Sequence, residues 1–287
     1  MMNAEWGMRN AEGMSPVAFS GPIGHLRAVM TATARGFVSR SNAYLIDVIR
    51  WPLFPLVFFA MMRLTYRVSG QQTVDGLDVS AFLMVGMFGF ITWSGTIWSS
   101  GYAIEYERSE GTAAALFLSP ASRVAVIAGY GLGGFVWMLP SFVTMGILGV
   151  VSGARLNVAD PLAAIGAILA LLTGSLATGF ALAGLFILSR RANLLANFLQ
   201  RPGELLAGAL FPRDLLPGPL YALSNCLPVS HALDALRASL LGAATLRDTL
   251  PAIALTLAVS AVYALVGALS LRKVEHAAKR SGDLELY

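Results

Sequence analysis

The chain has 287 residues, of which 56% are hydrophobic and 13% are charged. A soluble domain carries roughly 25% charged residues, so this composition excludes an ordinary water-soluble protein. The mean hydropathy of +0.67 and the long stretches without Asp, Glu, Lys or Arg indicate an integral membrane protein. The net charge of +4 then reflects contact with anionic lipid and not with nucleic acid.

The predicted elements begin with a flexible tail at residues 1–21 and an amphipathic helix at 22–41. Apolar residues recur at helical spacing in the second segment, at Ile23, Leu26, Met30, Phe37 and Val38. The opposite face carries polar residues such as Arg35. We expect this helix to lie in the cytoplasmic interface of the membrane.

Six membrane-spanning helices follow in the prediction, since a helix needs about 20 mainly apolar residues to cross the hydrocarbon core. The predicted ranges are about 42–65, 79–104, 124–152, 161–189, 192–211 and 249–271. The proline-rich segment 215–241 is predicted to form a re-entrant hairpin. The fold class is therefore all-helical and integral to the membrane, with a transmembrane domain at 42–273 and a tail at 274–287.

The positions of the basic residues predict the orientation. Six spans place both termini on one side of the membrane, and that side receives most of the Lys and Arg residues. An excess of Lys and Arg marks cytoplasmic segments. We therefore expect a multi-pass protein of the cell membrane with both termini in the cytoplasm, and the high ratio of arginine to lysine is compatible with a GC-rich bacterial genome.

The stretch RVAVIAGYGLGGF at 123–135 contains G-x-G-x-x-G, which also occurs in dinucleotide-binding folds. Such a fold needs an acidic residue about 20 positions further on, and no acid follows here until Asp160. Gly129 and Gly133 also form a small-x-x-x-small pair. We expect these glycines to let neighbouring helices approach closely.

The loop between the second and third predicted spans carries a cluster of charges. It contains Glu105, Glu107, Arg108 and Glu110, followed by apolar residues up to Leu118. Glu105 and Arg108 have the i, i+3 spacing of a helical ion pair. The segment 105–118 is predicted as a helix that docks a soluble partner, and the alternative is a solvated loop that caps two spans.

Arg201 and Glu204 fall inside the fifth predicted span. Ionisable residues at membrane depth are costly and mark candidate substrate paths. The alternative is a self-neutralising pair on one helix face, or one that lies near the cytoplasmic interface.

The histidines and the single cysteine predict no metal site. No second ligand accompanies any histidine at metal-binding spacing. We expect His231 and Asp234 to satisfy polar backbone in the hairpin, and Cys226 to be a small packing residue.

Two motifs resemble those of permeases of ABC type-2 (ABC-2) exporters. The first is E-R-E-x-G-T…P, matched by Glu107, Arg108, Glu110, Gly111, Thr112, Ser119 and Pro120. The second is G-x-x-F-P-x-x-x-L-P…P…R, matched by Gly208, Phe211, Pro212, Leu216, Pro217, Pro228 and Arg237. The extra residue Ser109, and Ala113 where the family often has an acid, depart from the first motif.

The resemblance implies a permease subunit that exports an amphipathic small molecule, drug or lipid. The chain has no G-x-x-x-x-G-K-[ST] motif, so ATP and Mg²⁺ would bind to a separate ATPase subunit and this chain is not itself an enzyme. Two permeases, here expected to be copies of one chain, would pair with two ATPase subunits. The segment from Glu105 to Leu116 would couple each permease to its ATPase subunit.

Two alternatives remain at this stage. The first is an ion-coupled secondary transporter that uses the region of Arg201 and Glu204. The second is an exporter of lipid-linked polysaccharide. The loop motif is closer to the drug-export branch of the family, which includes antibiotic-resistance exporters.

Overall fold

The computed structural model describes residues 22–41, 45–112, 122–187, 189 and 191–281. These ranges form the helices α1 Pro22–Ser41, α2 Leu45–Val68, α3 Val79–Thr96, α4 Ala103–Ser109, α5 Arg123–Val151, α6 Pro161–Ile187, α7 Ala192–Leu206, α8 Gly218–Asn225, α9 Pro228–Leu241 and α10 Leu246–Ser281. The predicted helical class is thus confirmed. The tail at 1–21 and the second half of the predicted coupling segment, including Leu116, lie outside the described residues.

A short β-hairpin, which the sequence analysis did not predict, joins α2 to α3. Strands β1 Thr73–Val74 and β2 Leu77–Asp78 pair antiparallel around Asp75 and Gly76. Both turn residues have positive φ, 51° and 74°, as a type I′ turn requires, and Asp-Gly is a favoured pair for that turn. The Asp78 carboxylate then caps α3 by accepting hydrogen bonds from the backbone N–H groups of Ser80 and Ala81 at 2.8 and 3.1 Å.

Helix α3 lies at the centre of the fold. It continues through a π-helical turn, Ile97–Gly101, and 94% of its most apolar window is buried within the chain. Glycines let its neighbours approach closely. A Cβ on Gly86 would lie 1.8 Å from the Ala209 carbonyl oxygen, and a Cβ on Gly89 would lie 2.4 Å from the Leu233 side chain. Helices α2, α5, α6, α7 and α9 surround it.

Four helical stretches in the described part of the chain are long and apolar enough to cross a membrane. They are Val79–Gly101, Arg123–Val151, Pro161–Ile187 and Leu246–Lys273. Helix α2 has 24 residues and carries four charged residues, Asp47, Arg50, Arg63 and Arg67. The protein is therefore a multi-pass membrane protein, and the count of six spans stays a prediction.

The fifth predicted span, 192–211, differs from the structure. Helix α7 has only 15 residues, which is about 22 Å and less than the ~30 Å hydrocarbon core. Residues 207–212 are not helical. The following segment forms two helices, α8 and α9, of which α9 packs against α3, α6 and α10. Whether this helical pair re-enters the membrane stays a prediction.

The last helix, α10, packs mainly against α6 and runs to Ser281, so it extends into the predicted tail at 274–287. Asp160 joins the starts of α6 and α10. Its carboxylate accepts hydrogen bonds from the backbone N–H groups of Leu162 at 2.9 Å and Leu246 at 2.8 Å. One side chain therefore satisfies a free N–H group in the first turn of each helix.

Candidate functional site

The first candidate site centres on Glu107, which lies on α4 and is 2% exposed. Its Oε2 accepts a hydrogen bond from Arg35 Nη2 of α1 at 3.0 Å, and also one from the hydroxyl of Thr112. Its Oε1 accepts a hydrogen bond from the hydroxyl of Tyr130 of α5. One buried carboxylate thus joins α1, α4, α5 and the start of the following loop.

The loop motif has a structural reason in this arrangement. Gly111 has a φ of +72°, which reverses the chain after α4 at no steric cost to glycine. The reversal lets the backbone N–H of Thr112 donate to the Glu107 carbonyl at 2.9 Å. It also places Thr112 where Arg35 Nη2 donates to its hydroxyl at 3.2 Å. The Gly-Thr pair therefore folds back onto the buried acid.

The other charges of the loop lie nearer the surface. Arg108 Nη1 and Glu105 Oε2 form the predicted i, i+3 ion pair at 2.7 Å. Ser109, Glu110 and Gly111 are exposed. Glu107 is thus buried as an internal anchor, whereas Glu110 lies on the accessible turn.

Helix α1 packs along α5. A Cβ on Gly129 would lie 2.4 Å from Ala32 Cβ and 2.8 Å from the Val29 carbonyl oxygen, so only glycine permits this contact. Further along, the rings of Phe37 and Trp137 meet edge to face at 6.0 Å. The expectation that Gly129 serves close helix packing is confirmed, and RVAVIAGYGLGGF lies in a helix instead of a strand and turn.

Small residues of α1 form its contact with α5, and the interfacial position of its apolar face stays a prediction. Leu26 and Met30, on the predicted apolar face, are 61% and 64% exposed. Ala28 and Ala32 are buried instead. Small residues at i, i+4 spacing are the sequence signal that could have found this face.

The second motif surrounds the non-helical segment after α7. Ser224 and Ser230 donate to the Leu206 carbonyl at 2.6 and 3.3 Å. Arg237 Nη2 donates to the Gly208 carbonyl at 2.6 Å. A buried non-helical segment needs partners for its backbone polar groups inside the protein. The side chains of α8 and α9 provide them here.

The other members of this motif shape the same segment. Gly208 has a φ of +72°, and a Cβ there would lie 2.5 Å from Arg213 Cγ. Phe211 is half-buried against the core and Pro212 is buried. The two remaining prolines begin helices, with Pro217 directly before α8 and Pro228 as the first residue of α9. The motif is thus explained by the conformation of one turn and the start of two helices.

Arg213 and Asp234 form an ion pair that the sequence analysis missed. Arg213 also donates to Asn225 Oδ1 at 3.1 Å, so it links α8 to α9. His231 Nε2 donates to the Asn225 carbonyl at 2.8 Å, which confirms its expected role in satisfying backbone. Cys226, for which a packing role is expected, is exposed in this chain because it lies at the turn between α8 and α9.

Arg201 and Glu204 form the predicted pair, with Arg201 Nη1 lying 3.1 Å from Glu204 Oε2. Their exposures differ sharply, because the Arg201 side chain is 55% exposed and that of Glu204 is 2% exposed. The guanidinium also lies 5.3 Å from the ring centroid of Phe54 on α2. The guanidinium of Arg201 is therefore exposed, while the carboxylate of Glu204 is enclosed.

One comparison identifies a family. The family model described as ABC-2 type transporter matches residues 27–241, which is more than half of the chain. A comparison with curated proteins finds no match. The match includes α1 from Arg27 onward, the Glu107 anchor and the segment held by Arg237.

Proposed function

The chain belongs to the ABC-2 type transporter family and is a permease subunit of an ABC transporter; we propose that it works as an exporter driven by a separate ATPase. Two copies of the permease pair with two ATP-binding subunits in this proposal. The cargo is an amphipathic small molecule, drug or lipid that leaves the cytoplasm or the inner leaflet. The cell membrane holds the complex, with both termini of the permease in the cytoplasm.

The arrangement around Glu107 is the observation that supports coupling. A coupling element must move as a rigid body if it is to bias the membrane helices between two states. Glu107 ties the turn at Glu110 and Gly111 to α5 through Tyr130, and to α1 through Arg35. A displacement of the exposed turn by an ATPase would thus move α1 and α5 together.

The absence of a phosphate-binding loop from the sequence supports a separate motor. No G-x-x-x-x-G-K-[ST] stretch occurs among the 287 residues. The backbone N–H groups and lysine of such a loop are what hold the ATP phosphates in P-loop enzymes. ATP and Mg²⁺ therefore belong to the partner subunit in this proposal.

Gentle purification from the native host tests the docking site. We expect an ATP-binding subunit to accompany the wild-type permease. Glu110→Lys, which reverses an exposed charge without touching the buried network, should release it. Asp214→Lys is the matched control, because Asp214 is an exposed acid close to α8 and far along the chain from the coupling turn. Equal recovery of the ATPase with both variants would contradict docking at Glu110.

Transport in vesicles tests the direction. Inverted vesicles that contain the complex should accumulate an amphipathic cargo only when ATP is supplied. Accumulation driven by a proton or sodium gradient without any ATPase would favour the ion-coupled carrier instead.

A further inference from the structure

Helix α7 has one face inside the fold and one face outside. Ala192, Ala196 and Gly203 pack inward, and a Cβ on Gly203 would lie 2.0 Å from the indole of Trp93. The outward face carries exposed residues at i, i+4 spacing. A helix at membrane depth with a free polar face needs water or a ligand beside that face.

The outward face consists of two adjacent rows. The polar row is Asn193, Asn197 and Arg201, in which Asn197 Nδ2 donates to both the backbone carbonyl and the Oδ1 of Asn193 at 2.8 Å. The apolar row contains Leu194 and Phe198, which are 62% and 70% exposed. A polar strip thus runs directly beside an apolar strip.

The depth of Arg201 follows from its neighbours. The preceding carbonyl, of Gln200, accepts a hydrogen bond from Trp93 Nε1 at 3.1 Å. Trp93 lies about 12 Å along α3 from Gly101, where the span Val79–Gly101 ends. Arg201 therefore lies level with the apolar stretch Val79–Gly101, nearer to the end of the bundle that carries α4.

The charge on this face is positive. Glu204 is enclosed, so the carboxylate of the pair does not reach the surface, whereas the guanidinium does. Phe54 lies against the guanidinium and limits its movement. Arginine carries five N–H donors, and its planar edge suits carboxylate and phosphate groups.

We propose that the exposed face of α7 binds an anionic amphiphile as cargo, with its phosphate or carboxylate head group at Arg201 and its apolar tail along Leu194 and Phe198. This inference rests on the proposed exporter function, since it names the class of cargo. The two rows match the two parts of such a molecule in polarity, and the outward guanidinium selects the sign of the head group.

Binding of two probes that share one tail tests the charge selectivity. Dodecyl phosphate and dodecyltrimethylammonium are titrated into the purified permease, with any co-purifying ATPase, in phosphatidylcholine nanodiscs. The double variant Arg201→Gln, Glu204→Gln removes both charges, so no buried carboxylate is left unpaired. We expect the double variant to bind dodecyl phosphate about tenfold or more weakly and to bind the cationic probe with unchanged affinity. Arg155→Gln, at an exposed position between α5 and α6, should change neither affinity.

A second variant tests the same face at another exposed position. Asn197→Asp places a negative charge one turn from Arg201. This variant should bind dodecyl phosphate more weakly and dodecyltrimethylammonium more tightly. If the affinities for both probes change in the same direction, or if neither affinity changes in either variant, the inference is overturned.

The two proposals fail separately. An intact complex with ATP-driven export, but with dodecyl phosphate binding that is independent of residue 201, would overturn the cargo inference and leave the exporter function standing. A permease that recruits no ATPase, yet binds dodecyl phosphate through Arg201, would support the site and overturn the ATP-driven function.

Discussion

Arg237 Nη2 donates to the carbonyl of Gly208 across 29 residues of chain, at 2.6 Å, and its guanidinium lies 4.0 Å from the ring centroid of Phe82. One buried cation thus holds a non-helical turn against the central helix. Replacement by an apolar residue would leave the Gly208 carbonyl without its donor.

We expect Arg237→Met to lower the free energy of unfolding by about 1–3 kcal/mol, the usual cost of a buried polar group left without its partner. The midpoint of thermal unfolding in detergent measures the effect. Arg155→Met, at an exposed position, is the matched control. Equal midpoints for the two variants would show that the contact with Gly208 contributes nothing.

Gly129→Ala should separate α1 from α5, because the added Cβ would lie 2.4 Å from Ala32 Cβ. Gly146→Ala on the same helix is the control, since its Cβ would meet only Phe88 Cζ at 4.0 Å. Limited trypsin digestion after Arg35 in detergent reports the release of α1. We expect faster cleavage in the first variant alone, and similar rates in both would argue against the close contact.

Tyr130→Phe removes the donor to Glu107 Oε1 inside the buried network. We expect a loss of about 1–3 kcal/mol in the free energy of unfolding, because the carboxylate oxygen stays buried without that hydrogen bond. Tyr221→Phe on α8, where the ring is 38% exposed, is the control. Thermal unfolding measures both, and a smaller loss for Tyr130→Phe than for the control would contradict the network.

Asp160 predicts a pH dependence of stability. The backbone N–H groups of Leu246 and Leu162 donate to the Asp160 carboxylate and hold its pKa below the usual value of about 3.9. A lowered pKa in the folded state stabilises the fold above the unfolded-state value, and that contribution is lost as the pH falls through the folded-state value.

We therefore expect Asp160→Asn to unfold at a lower temperature than the wild type at pH 7. The difference between the two proteins should shrink as the pH falls below about 4. Asp214→Asn, at an exposed acid outside this contact, is the control for general charge effects. A difference that stays constant down to pH 3 would exclude the contribution of the Asp160 carboxylate.

Local patterns in the sequence predicted local structure. Glu105 with Arg108 and Arg201 with Glu204 lie three residues apart, so helical geometry alone brings each pair together. Long apolar stretches likewise predicted the four clear spans, since length and composition are properties of one segment.

Such local patterns do not predict contacts between segments that are far apart in the sequence. Two of the partners of Glu107, Arg35 and Tyr130, lie 72 and 23 residues away, and no spacing rule connects them with it. The same holds for Arg213 and Asp234, which are 21 residues apart. The fifth predicted span was too long because a run of apolar residues up to Phe211 hides the positive φ of Gly208, where the chain has already left the helix.

The enclosure of α3 has a consequence for how the bilayer acts on this protein. The most apolar windows of α5 and α10 are only 33% and 17% buried within the chain, so these helices are open to lipid, whereas 94% of the window of α3 is buried. A change in bilayer thickness therefore tilts or strains the outer helices first, and α3 responds only through the side chains packed on it. Helix α3 therefore keeps its position when the bilayer changes, while the outer helices α5 and α10 adjust to the surrounding membrane.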